Sequence, residues 1–282
     1  MAALSSTQWG PLIKLDRVQL VKGVSESAFI ADTIMNQLVK RGEVVDLASD
    51  GRYDIEKLMA MKPEVVLFSP DPTGVPTPLK MTGLPMIAWT DYFETDPLGR
   101  TEWMKILGVL SGVSQESVML FDSIATSYEQ LKSLAAKVTE RPVIFADKAF
   151  AGQWYVPGGK SYMAQIFKDA GATYVFSDNE SEASFPLDIE TILAKAGNAD
   201  YWRIAQATRG QYGYAEIKSE NEVYASFKAF KDHKVIYCNS FETAYFERGP
   251  LEPHLILADF IAVFHPTLLP GHKPVFHQLL KP

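Results

Sequence analysis

The stretch S-Q-E-S-V-M-L-F-D-S-I-A-T-S-Y-E-Q-L-K-S-L-A-A-K-V-T-E, residues 114–140, decides how the chain is divided. It holds no glycine and no proline, and its apolar residues recur at helical spacing. Val118, Phe121, Ile124, Ala125, Tyr128, Leu131, Leu134 and Val138 fall on one broad face of a helix. At 1.5 Å per residue its ~27 residues would make a rod of ~40 Å, longer than a strand-to-strand crossover needs. The expectation is a stiff spine, with the strands before and after it in separate sheets.

Both flanks supply such strands. Before the spine come V-Q-L-V-K-G-V (18–24), V-V-D-L-A (44–48), V-V-L-F-S-P (65–70) and M-I-A-W-T-D-Y (86–92). After it come V-I-F-A-D (143–147), T-Y-V-F-S (173–177), Y-W-R-I-A (201–205) and V-I-Y-C-N-S (235–240). Helix-period segments separate most of them, the mark of crossover-connected parallel strands. The fold class expected is α/β: two Rossmann-like lobes with mainly parallel sheets, joined by one long spine helix, with a ligand cleft between lobes. The divisions expected are 1–112 for the first lobe, 113–140 for the linker helix and 141–282 for the second lobe.

The two halves share a phrase. Y-D-I-E-K-L-M-A-M-K-P-E-V-V-L-F (53–68) and L-D-I-E-T-I-L-A-K-A-G-N-A-D-Y-W-R-I (187–204) each run D-I-E, a helical turn, a break and a strand. Asp54 and Asp188 are the N-caps expected.

Composition narrows the function. Of 282 residues, 47% are hydrophobic and 22% charged, which gives ample core for two domains. A net charge of −7 excludes the clustered positive footprint of a nucleic-acid binder. One cysteine, Cys238, excludes an internal disulfide and any multi-cysteine metal site. The opening M-A-A-L-S-S-T-Q-W-G has neither a basic n-region nor an apolar h-region, and no apolar run reaches membrane-spanning length.

The stretch G-Q-W-Y-V-P-G-G-K-S-Y-M (152–163) has the outline of a phosphate-binding loop: strand, glycines with Lys-Ser, then helix. The fingerprint needs a glycine five positions before Gly159, where Trp154 stands, and Pro157 removes one N–H donor. An enzyme binding a nucleotide or sugar nucleotide at 158–161 is therefore the alternative reading. The competing one makes Gly158-Gly159 a turn and Ser161 a helix cap, with Lys160 a bystander and Trp154 and Tyr155 ligand-facing on a loop. Aromatics recur after other strands: Trp89 and Tyr92, Tyr212 and Tyr214, Phe241, Tyr245 and Phe246. Loops at the carboxyl ends of parallel strands are where open α/β sheets bind ligands, and aromatic walls suit a large, flat, partly apolar one.

The five histidines, His233, His254, His265, His272 and His277, lack metal-ligand spacing, so no metal site and no cofactor of the protein's own are expected. No G-x-S-x-G elbow is present. The pair Glu180 and Glu182 reads as a solvated loop. Arg209 and Arg248 stand near cleft loops and could meet ligand carboxylates.

Four phrases carry a family resemblance: G-R-Y-D-I-E-K-L-M-A-M-K-P-E-V-V-L-F (51–68), D-P-L-G-R-T-E-W-M-K-I-L-G (96–108), W-Y-V-P-G-G-K-S-Y-M-A-Q-I-F-K-D-A-G-A-T-Y (154–174) and Y-F-E-R-G-P-L-E-P-H-L-I-L-A-D-F (245–260). In that order they resemble the periplasmic substrate-binding proteins of ABC importers for cobalamin, haem and ferric siderophores, the class whose lobes are joined by a single rigid helix. The resemblance implies a non-catalytic monomer that captures a cobalt- or iron-containing chelate, with cobalamin or a related corrinoid favoured and haem or a ferric siderophore next. It implies delivery to a permease and a place in the periplasm or anchored in the envelope. Trp89, Tyr92, Trp154, Tyr155, Tyr214, Phe241, Tyr245 and Arg248 are the ligand-binding candidates. Glu56 and Glu190 match the positions where the family presents one glutamate per lobe to permease arginines; each also reads as a solvated first-turn glutamate favoured by the helix dipole. The family usually has a strand before the S-S-T-Q segment, so the first lobe is expected to lack its first strand.

Overall fold

The structure, a computed structural model, describes residues 1–49, 52–70 and 74–282. It divides into two compact units. The first comprises Met1–Asp91, Glu102–Phe121 and Phe246–Leu251; the second comprises Tyr92–Thr101, Asp122–Tyr245 and Glu252–Pro282. The division therefore does not follow three consecutive blocks: residues 92–101 belong with the second unit, and 246–251 with the first.

In the first unit five short parallel strands lie in the order Val45–Asp46, Gly23–Val24, Ala2–Ala3, Val66–Phe68, Met86–Ala88. The residues before Ser5 thus supply the central strand of this sheet, where its absence was expected. Residues 18–24 are not one strand: Val18–Leu20 form a 3-10 turn, and only Gly23–Val24 pair. Helix Ser6–Lys14 follows the central strand directly. The Ser5 side chain and Gln8 form a capping box at its start.

The second unit holds a five-stranded sheet in the order Thr173–Tyr174, Val143–Ala146, Tyr201–Gln206, Val235–Asn239, Gln278–Leu279, parallel except for the last pairing. Val235–Asn239 is buried at every position, as a strand covered on both faces must be. A second, antiparallel sheet orders Phe185–Leu187, Gln153–Val156, Ala149–Phe150. Helix Ser114–Ala135 has 22 residues and spans about 33 Å, five residues short of the segment expected. The boundary between the units falls within it, after Phe121. Its second half is fixed to its own unit by Tyr128, fully buried, whose hydroxyl donates to Asp169 at 2.9 Å.

Both expected N-caps form. Asp54 accepts from the Lys57 N–H at 3.0 Å and Asp188 from the Thr191 N–H at 2.6 Å, and these bonds hold both carboxyls below their ordinary pKa.

Candidate ligand-binding site

Three loops follow the carboxyl ends of the second unit's central strands. Residues 147–152 follow Val143–Ala146, residues 207–213 follow Tyr201–Gln206, and residues 240–244 follow Val235–Asn239. Asn239 knits the last two together: its Oδ1 accepts from the N–H groups of Thr208 and Phe241, both at 3.2 Å, and its Nδ2 donates to the Thr208 carbonyl at 2.9 Å. Tyr237 donates to Thr208 Oγ1 at 2.8 Å and stacks on Tyr212, ring centroids 4.9 Å apart. Tyr212, Tyr237, Asn239 and Glu242 help line a cavity of about 530 Å³. The Arg209 guanidinium lies 4.9 Å above the half-buried ring of Phe241, a flat cation on an aromatic face.

The sequence stretch around Trp154 folds differently from the loop expected. Gln153–Val156 is a strand whose residues alternate outward and inward, as a half-covered antiparallel strand does. Trp154 points in. It is wholly buried among Phe145, Trp202, Tyr224 and Phe227, and its indole N–H donates to the Ala146 carbonyl at 2.9 Å. It is therefore a core residue and not the ligand-facing loop residue expected. Tyr155 points out and is 44% exposed. Phe150, not among the candidates read from the sequence, is 77% exposed. Phe150 lies opposite Gln153, two residues from Tyr155 along the strand, so all three share the outer face.

Other candidates also move inward. Trp89 is buried, edge-on to Trp103 at 5.0 Å; its indole N–H lacks an acceptor among the described residues. Tyr214, half-buried, also lines the cavity of Tyr212 and Tyr237, but its hydroxyl accepts from the N–H of Val235, the first residue of its strand, and its ring packs on Phe230 and His233. Tyr245 is buried against Phe276 and His277, its hydroxyl bonded by Arg203 at 3.3 Å. Tyr92 is half-buried against Phe93 in the second unit. Arg248 is half-buried in the first unit. Within the second unit the candidates thus do not form one cluster. Tyr155 and Phe150 are exposed on the outer face of the hairpin, and Phe241, half-buried with Arg209 over its ring, lies on a separate loop after Val235–Asn239.

The glycine loop has a structural use. A Cβ on Gly158 would stand 2.1 Å from the Ser181 carbonyl oxygen, and one on Gly159 2.3 Å from that of Asn179. The glycines therefore let the backbone pass against residues 176–183. Lys160 N–H donates to Ser181 O, Ser161 N–H to Gly158 O, and the Ser161 side chain accepts from Ala164 N–H. These amides are spent within the fold, and Lys160 pairs with Glu180 in solvent. An 820 Å³ cavity borders this loop, with Arg141, Lys168 and Thr173 on its wall. Its wall runs from Arg141 and Thr173, at the starts of strands Val143–Ala146 and Thr173–Tyr174, to Ser161 and Ser177.

Among the described residues no group of three or more His, Cys, Asp or Glu side chains could hold a metal ion. His277 is buried, and His272 Nε2 is hydrogen-bonded to the Asp259 carboxylate at 2.7 Å. Burial pushes the Cys238 thiol up to about 11, so it is an inert packing residue. Glu56 and Glu190 are both exposed in the first turns of helices Ile55–Met61 and Ile189–Ala196.

An uncharacterized lipoprotein of Methanocaldococcus jannaschii is 26% identical over 247 residues, 86% of this chain and 58% of the relative; another from the same organism is 23% identical over 250 residues, 84% of this chain and 61% of the relative. The chain spans about three fifths of the length of these curated relatives. Among solved structures, a periplasmic heme binding protein from Pseudomonas aeruginosa superposes with a TM-score of 0.75 at 18% identity, covering 100% of this chain and 97% of that one. An ABC-type Fe3+-hydroxamate transport system structure from Saccharomonospora viridis gives 0.70 at 16%, covering 94% and 92%. These likenesses establish the two-unit α/β fold with its long helix. The family model described as periplasmic binding protein matches residues 1–241, and the chain belongs to that family.

Proposed function

We propose that this protein is the solute-binding component of an ABC importer and that it captures a metal chelate of the haem, ferric-siderophore or corrinoid kind. The observation that carries the reading is the outer surface of the second unit at the carboxyl ends of its parallel strands. Phe150 and Tyr155 present exposed rings on the hairpin that follows Val143–Ala146, and Phe241, half-buried under Arg209, lies on the loop that follows Val235–Asn239. Apolar rings suit a flat macrocycle or chelate, and a guanidinium suits a peripheral carboxylate. Neighbours that bind heme and that serve Fe3+-hydroxamate transport support the class. Glu56 and Glu190 are the residues offered to arginines of the permease, one from each unit, where two fixed carboxylates orient the complex. A monomer working in the cell envelope suits this role, and relatives described as lipoproteins agree with it.

Visible-absorbance titration with haemin, a ferric tris-hydroxamate and cyanocobalamin tests the reading. Saturable one-to-one binding of one of them is expected. Binding of none at micromolar protein, or loss-free binding after Phe150→Ala and Tyr155→Ala together, would overturn it.

A further inference from the structure

The outer aromatic face belongs to a hairpin, Ala149–Phe150 with Gln153–Val156, that turns through two left-handed residues, Ala151 at φ 50° and Gly152 at φ 83°. Its base enters through Asp147, also left-handed at φ 64°. Glycine holds that conformation at low cost, asparagine and aspartate visit it more readily than other residues, and the surroundings of Asp147 fix it there. They do so in three ways. The Asp147 N–H donates to the Arg203 carbonyl at 2.7 Å, its own carbonyl accepts from Trp202 Nε1 at 2.7 Å, and its carboxylate accepts from Arg203 Nη1 at 2.6 Å. The next two residues are held as well. Lys148 reaches Glu220 at 2.5 Å and the Tyr212 hydroxyl at 3.2 Å, and the Ala149 N–H donates to the Tyr224 hydroxyl at 3.2 Å.

Arg203 is the hub of this clamp. It is buried on the central strand Tyr201–Gln206, and each arm of its guanidinium ends on a different segment. Nη1 donates to Asp147, Nη2 to the Tyr245 hydroxyl at 3.3 Å, and Nε to His277 Nε2 at 3.2 Å. Tyr245 is the last residue of its unit before the chain passes to Phe246–Leu251. His277 is brought in by a C-terminal strap, whose Val275, Phe276 and His277 N–H groups all donate to the fully buried carboxylate of Asp259. Burial works against the Arg203 charge; the Asp147 carboxylate is the first of several groups that favour it, and together they keep the guanidinium charged.

We propose that Arg203 is a positioning residue for ligand capture: without touching the ligand, it fixes the Phe150–Tyr155 face through Asp147. This rests on the chelate-binding reading for its functional consequence and on the geometry alone for the tether. Three variants of the full chain separate the two. Asp147→Asn keeps an oxygen acceptor and the left-handed backbone. Arg203→Met with Asp147→Gly removes both charges together, so no charge is left buried alone, and glycine accepts φ 64° freely. Phe150→Ala removes the contact itself.

Amide hydrogen exchange, read without ligand, should show residues 148–153 at least tenfold faster in the double variant, with Val235–Asn239 unchanged and Asp147→Asn near wild type. With whichever of haemin, ferric tris-hydroxamate or cyanocobalamin the wild type binds, the double variant should bind about tenfold more weakly, as should Phe150→Ala, while Asp147→Asn stays within about threefold. Unchanged exchange of 148–153 in the double variant overturns the tether. Altered exchange with wild-type affinity overturns its role in capture. A wild type that binds none of the three fails the chelate reading and leaves the exchange result to decide the tether.

Discussion

Replacing Trp154 or its neighbour Tyr155 with alanine separates the core from the ligand face within two adjacent residues. Trp154 is wholly buried, with four aromatic rings at centroid distances of 5.6 to 6.0 Å. Truncating such a side chain costs about 3–5 kcal/mol. The Ala146 carbonyl would also lose its donor, at about 1 kcal/mol or more if no water replaces it. Trp154→Ala should therefore destabilise the second unit by about 4–6 kcal/mol, a large share of the ~5–15 kcal/mol typical of whole domains. Trp154→Phe, which keeps a ring but not the donor, should lose about 1–2 kcal/mol. Tyr155, 44% exposed, has little packing to lose, and Tyr155→Ala should stay within about 1 kcal/mol. Urea unfolding followed by far-ultraviolet circular dichroism at 25 °C gives all three numbers. A Trp154→Ala protein as stable as wild type, or a Tyr155→Ala protein less stable than Trp154→Ala, would refute the assignment of inner and outer faces.

Other perturbations follow from single contacts. A Cβ on Gly10 would sit 2.2 Å from the Glu247 carbonyl oxygen, where the 246–251 segment crosses helix Ser6–Lys14. Gly10→Ala should cost about 1–3 kcal/mol in the first unit, measured by the same urea titration, and no cost would mean the crossing is looser than described. Burial, and then the Arg203 charge, hold His277 well below its ordinary 6.5, so the folded protein refuses a proton that the unfolded chain accepts. His277 thus adds stability that is full above about pH 6.5 and lost as pH falls, by up to ~1.4 kcal/mol per unit. His277→Gln should flatten the difference between urea midpoints at pH 7.5 and 5.5, and an unchanged difference would count against a neutral buried ring. Lys160→Ala should leave both the unfolding midpoint and chelate binding as in wild type, since its partner Glu180 lies in solvent; a loss of chelate binding would return Lys160 to the site. Charge reversal at Glu56 and Glu190 together should abolish stimulation of the permease ATPase with chelate affinity intact, and retained stimulation would exclude them from docking.

The sequence made the α/β class legible because alternating strand and helix periods are local signals. The eight expected strand regions all contain a strand, and Asp54 and Asp188 cap as expected. The long helix was legible for the same reason, though Ala135 ends it where the pattern ran on to 140. The site was read less well. Trp154 and Tyr155 differ only in which way a four-residue strand faces, and glycines on both sides of that strand read as a loop. Phe150 became visible only through its pairing with Gln153. The Arg203–Asp147 tether joins residues 56 apart, and no local pattern announces it. The same is true of the passages of 92–101 and 246–251 between units, which contact order along the chain does not reveal.

The most direct measurement is metal stoichiometry. The purified chain is dialysed to equilibrium against haemin, a ferric tris-hydroxamate or cyanocobalamin, and iron and cobalt are then counted per chain by mass spectrometry. A solute-binding protein for metal chelates should retain about one equivalent of one of them, falling sharply when Phe150 and Tyr155 are both alanine. Retention of no metal from any of the three contradicts the account.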